Sequence, residues 1–84
     1  MAKGFGGGSE VDYTIGAEVI HDTSAHAGRF GKIVALEDSV IASLSAEDYT
    51  GNTLSAIPLN ASCEMQGVFT SVTLTSGTVV AYKL

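Results

Sequence analysis

Apolar and polar positions alternate most clearly over residues 67–84. Gly67-Val68-Phe69-Thr70-Ser71-Val72-Thr73-Leu74 is rich in β-branched and aromatic residues, Thr75-Ser76-Gly77 supplies a turn, and Thr78-Val79-Val80-Ala81-Tyr82-Lys83-Leu84 repeats the texture. The pattern predicts a β-hairpin. Period-two alternation puts Val68, Thr70, Val72 and Leu74 on one face with Thr78, Val80, Tyr82 and Leu84. The opposite face, with Phe69, Ser71, Thr73, Val79, Ala81 and Lys83, is nearly uncharged, so both faces are expected to be covered.

Two further runs, Arg29 to Leu36 and Ser39 to Leu44, flank Glu37-Asp38 and predict a second hairpin. In the first run Phe30, Val34 and Leu36 alternate with Gly31, Ile33 and Ala35. Thr53-Leu54-Ser55-Ala56-Ile57 reads as another strand, stopped or held at a sheet edge by Pro58, which has no N–H to donate. Residues 59–66, around Cys63 and Met65, form a fourth segment. Ser45-Ala46-Glu47-Asp48 has a helix-start composition, but Tyr49-Thr50-Gly51-Asn52 ends it at once, which predicts a loop.

No long stretch carries a 3.6-residue period. The expected fold is therefore all-β: about six strands in a small antiparallel sandwich or jelly-roll-like barrel. Residues 1–28 read differently. Gly4, Gly6, Gly7 and Gly8 surround a lone Phe5, the patch at Ala17-Glu18-Val19-Ile20 predicts at most a brief strand, and residues 21–28 are turn formers and small residues. The expected organisation is an extended N-terminal arm over 1–28 and a compact body over 29–84. Phe5, Tyr13, Val19 and Ile20 are the candidate partner-binding residues of that arm.

Composition narrows the function. A chain of 84 residues supports a marginal core, and its single cysteine permits no internal disulfide. Clustered zinc ligands are also missing. Self-association is the expected source of added stability, with Phe69, Val72, Val79 and Tyr82 as candidate interface residues. Nine acidic against four basic residues give a net charge of −5, which argues against nucleic acid and anionic membranes as partners. Residues 1–10 lack the apolar stretch of a signal peptide, and no apolar run is long enough to span a bilayer. From Tyr49 onward only Glu64 and Lys83 are charged. Either Ser and Thr hydroxyls solvate that part, or neighbouring molecules cover it.

The candidate chemistry is thin. His21, Asp22, Ser24 and His26 are triad residue types, but their crowding within six positions opposes triad geometry. Extended chain separates the two histidines by about 16 Å, so a metal would need a turn to close that gap or a symmetry axis to bring copies of one histidine together; an ordinary loop bonding its own backbone is the expected reading. The N-terminal glycines have no strand before them, no helix after them and no Lys-Ser/Thr pair, so they do not make a phosphate loop. Glu37-Asp38 and Glu47-Asp48 read as turn charges rather than a calcium shell. Cys63 is expected to be buried, Glu64 to face solvent or a donor on a neighbouring subunit, and Asn60-Ala61-Ser62 to match a glycosylation sequon by coincidence. No catalytic residue, cofactor or metal is assigned.

Gly28-Arg29-Phe30-Gly31-Lys32-Ile33, Tyr49-Thr50-Gly51-Asn52-Thr53-Leu54 and residues 67–77 together resemble small structural proteins of tailed bacteriophages, especially marine and cyanobacterial ones. The resemblance covers about fifty-five residues and rests on texture rather than on a diagnostic motif. It implies a non-enzymatic virion component such as a head decoration or cement protein. Such a protein would be a homotrimer at the outer capsid surface, attached to the major capsid protein by its N-terminal arm. The alternative is a tail- or fibre-associated module recognising carbohydrate at a host surface, for which Phe30, Tyr49, Phe69 and Tyr82 are the body's available aromatics.

Overall fold

The computed structural model describes residues 16–84. The alternating runs become six strands: β1 (Ala17–Ile20), β2 (His26–Ala35), β3 (Ser39–Ala46), β4 (Ser55–Leu59), β5 (Glu64–Ser76) and β6 (Val79–Lys83). All pairings are antiparallel, in one sheet of order β1-β6-β2-β5-β3-β4. The all-β expectation holds. Pro58 lies on β4, an edge strand, opposite Val40, where its missing N–H leaves no gap in a central ladder.

Neither expected hairpin forms. β5 lies between β2 and β3, and β2 lies between β5 and β6. Short links join these non-neighbours because the sheet folds over itself. β5 pairs with β2 through His26↔Val72 and continues along β3 to Val40↔Ser76, while β6 starts beside the end of β2 at Ala35↔Val79. The two links therefore meet at one corner. Leu36 N–H donates to the Thr78 carbonyl at 2.9 Å, and Thr78 N–H donates to Ser39 Oγ at 3.1 Å. Ser39 Oγ in turn donates to the Glu37 carbonyl at 2.9 Å, which makes it a satisfied buried polar group.

Register shifts let one sheet enclose a core. Opposite β3, the step from Ser71 to Phe69 on β5 matches a single step from Ser45 to Ala46, so Thr70 is an extra residue. Parity resets there. Phe69, Val72 and Leu74 consequently all point inward, where strict alternation would have split them. A second shift on β2 buries Phe30 on the same side as Ile33 and Ala35, and leaves Leu36 58% exposed. Phe30, Phe69, Ile20, Ile33, Ile41 and Leu74 are essentially inaccessible to water. Burial that complete needs a covering layer, which the folded-over sheet supplies.

The boundary between arm and body also moves. Residues 17–20 and 26–28 belong to the sheet, and Ile20 is a core residue with no exposed surface. The expected segment over 59–66 divides, because Leu59 ends β4, residues 60–63 form a turn and residues 64–66 open the long β5. In that turn Ser62 has φ +72°, Cys63 N–H donates to the Asn60 carbonyl, and the Cys63 side chain faces outward. The buried position expected for Cys63 is thus corrected.

Candidate functional site

The polar residues of the β1–β2 turn come together, though not as a triad. Asp22 accepts from Ser24 N–H at 3.1 Å, closing an Asx-type turn. His26 opens β2 on the same side of the sheet as buried Val72. Its Nε2 bonds Asp22 at 2.8 Å and its Nδ1 bonds Glu18. Ionised carboxylates only accept, so both ring nitrogens carry protons and the ring is an imidazolium. Asp22 first and Glu18 second raise the His26 pKa above its ordinary value, and His26 holds Asp22 below its own. An imidazolium bonded on both sides has no lone pair with which to take a proton from Ser24. This group fastens β1 to β2.

His21 faces elsewhere. Thr78 donates its hydroxyl proton to Glu37 at 2.6 Å, so His21 Nδ1 is the donor in its 2.6 Å bond to Thr78 Oγ1. The other carboxylates follow the same pattern. Asp38 accepts from Ala61 N–H at 2.8 Å, Asp48 from Val68 N–H at 3.0 Å, and Glu47 from Arg29 at 3.0 Å. Glu64 pairs with Lys32 at 2.9 Å, which lowers its pKa. Its expected solvent-facing position holds, with the donor supplied by the same chain. Each carboxylate of the described residues thus ties one segment to another. Sequence reading treated the two acidic dipeptides as solvated charge, because a carboxylate's backbone partner twenty residues away leaves no local signal.

A shallow groove of about 310 Å³ lies between the end of β3 and the 47–54 loop, lined by Leu44, Ala46, Tyr49, Asn52, Thr53 and Leu54 among others. Tyr49 is 37% exposed; its ring packs on Phe69 with centroids 5.5 Å apart, and its hydroxyl donates to the Gln66 carbonyl. Of the four aromatics considered for stacking, Phe30 and Phe69 are buried in the core, which leaves Tyr49 and the half-buried Tyr82.

The candidate association residues separate sharply. Phe69, Val72 and Val79 have no exposed surface and belong to the protomer's own core, because the bulged strands turn them inward. Ile20 is excluded as a partner-binding residue for the same reason. Tyr82 remains partly accessible and Val19 is 63% exposed. Phe5 and Tyr13 lie outside the described residues.

The uncharged outer surface has two characters. On β3, β4 and β5, Ser43 sits opposite both Ser55 and Thr73, and Ser45 opposite Ser71, giving a hydroxyl-covered half. On β1, β6 and β2 the outward positions are mainly apolar, with Val80 opposite both Val19 and Val34. Comparison with family models, with curated proteins and with solved structures finds no match.

Proposed function

We propose that this chain is a non-enzymatic structural protein of a tailed-phage virion, a decoration or cement protein that homo-oligomerises at the outer capsid surface. The observation that carries the reading is the use of its acidic groups. Every carboxylate of the described residues is spent fastening strand ends, turns or edges, and none converges with others on a cavity. Such wiring resists unfolding and offers no proton-transfer machinery, which suits a particle-stabilising role. The phage resemblance of residues 28–33, 49–54 and 67–77 supplies the setting, a trimer bound to the major capsid protein.

We assign attachment to residues 1–15, since residues 17–20 and 26–28 belong to the sheet and residues 21–25 only join them. Deleting 1–15 should leave the β signature of the body intact in circular dichroism and abolish co-sedimentation with tailed-phage capsids prepared without the chain. Undiminished co-sedimentation of the truncated form would count against the reading. The groove beside Tyr49 favours one competitor, a carbohydrate-binding module of a tail or fibre. A glycan-array signal that disappears in Tyr49→Ala would replace the capsid reading with that one.

A further inference from the structure

We infer that the outward face of β1, β6 and β2 is a self-association surface, covered in solution by a second copy of this chain. The inference rests on the oligomeric reading above and gives it a location. Directly opposed residues in an antiparallel ladder share a side of the sheet, so pairing alone draws the patch. Val19, Val80 and Val34 form one row across the three strands, and Ala17, Tyr82 and Lys32 form the next. Leu36 extends the patch beyond β2, where its N–H meets the Thr78 carbonyl. Val19 and Leu36 are 63% and 58% exposed, the two most exposed large hydrophobic residues described.

Charge selects the occupant. Copies with a net charge of −5 repel wherever carboxylates oppose one another. Among the described residues those groups lie at the turns, as Asp22, Glu37, Asp38, Glu47 and Asp48 do, or on the inward side of β1, as Glu18 does opposite buried Ala81. Glu64 borders the patch opposite Val34, where Lys32 neutralises it at 2.9 Å, and Glu37 borders it beside Leu36, where Thr78 Oγ1 donates to it at 2.6 Å. Among the described residues this face therefore presents a second equally acidic copy with only two bordering carboxylates, each held by a partner within its own protomer. An apolar centre with a polar rim of Lys32, Glu64 and Gln66 is also the ordinary anatomy of a subunit contact. The hydroxyl-covered half of the sheet needs no such cover. Solvation and burial thus divide the uncharged surface between them.

The test compares the native mass of the full chain with that of Val19→Lys/Leu36→Lys and of Thr75→Lys, an exposed position at the far end of β5, by sedimentation over a hundredfold concentration range. The wild type and Thr75→Lys should be oligomeric. The double variant should show at least a tenfold weaker association with an unchanged circular dichroism spectrum. If it loses that spectrum, Val80→Thr, which keeps the side-chain shape and inserts a hydroxyl into the middle row, takes its place with the same expectation. A Val19→Lys/Leu36→Lys double variant or a Val80→Thr variant that keeps the wild-type mass overturns the face while leaving the oligomeric reading standing. A wild type that is protomeric throughout overturns both.

Discussion

Replacing Gly77 with alanine should remove a large share of the protein's stability. Gly77 has φ +95°, a conformation costing an L-residue about 1–2 kcal/mol. An added Cβ would lie 2.1 Å from Ser39 Oγ, 2.5 Å from its Cβ and 2.6 Å from its Cα. Carbon contacts settle at roughly 3.5–4.0 Å, so residues 77 and 39 must separate by about 1 Å. A rotamer change cannot relieve overlap with a backbone atom. The separation breaks the bond from Thr78 N–H to Ser39 Oγ at the corner where the β2–β3 and β5–β6 links meet. A part-buried donor left unpaired adds about 1–3 kcal/mol, for a total of about 2–5 kcal/mol. At roughly 0.05–0.15 kcal/mol per residue, a chain of this length has a total stability of only about 4–13 kcal/mol.

Urea unfolding followed by circular dichroism measures the loss. Gly51→Ala is the control, since Gly51 has φ +103° with nothing within 4 Å of an added Cβ. It should lose only the backbone part, about 1–2 kcal/mol. Gly77→Ala losing no more than Gly51→Ala would refute the reasoning about the corner.

Ile20→Ala should cost about 2–5 kcal/mol in the same assay, because it opens a core cavity; a loss below about 0.5 kcal/mol, the size expected of an exposed position, would return residues 17–20 to a loose arm. The His26 pKa is raised, so its contribution is fully present below its ordinary 6.5 and lost as pH rises through the folded value. Asp22 and Glu64 have lowered values, so theirs is present above the ordinary 3.8 and 4.5 and lost on acidification. The melting temperature should therefore be highest between about pH 4.5 and 6.5 and fall as pH rises above that window, with His26→Ala flattening the alkaline limb; an alkaline limb unchanged by that substitution would remove His26 as its cause. Exposed Cys63 should react with a thiol reagent in the native protein as fast as in urea, whereas strong native protection would place it inside.

Strand positions were legible because alternation is local: Phe69 to Leu74 and Val79 to Lys83 look like strands whatever they pair with. Partners were not legible. Thr75-Ser76-Gly77 suits a hairpin turn as well as a corner between non-adjacent strands, and what decides is contact with Ser39, nearly forty residues earlier. The face assignments failed for a related reason. An extra residue at Thr70 reverses the parity of everything beyond it, and no local residue type announces it. Ile20 stood in a polar neighbourhood that gave no hint of Val79, its partner at the far end of the chain. The association residues were misassigned as a result. The two that remain accessible, Val19 and Tyr82, sit on the same outward face, reached from opposite ends of the sequence.

The most direct test of the account is the native mass of the full chain, measured by light scattering across a range of concentrations. The account predicts a stable multiple of the 8.6 kDa protomer, a trimer by the phage resemblance, in which the valine row of β1, β6 and β2 is covered. A mass of 8.6 kDa at every concentration would contradict it and leave that face open to solvent.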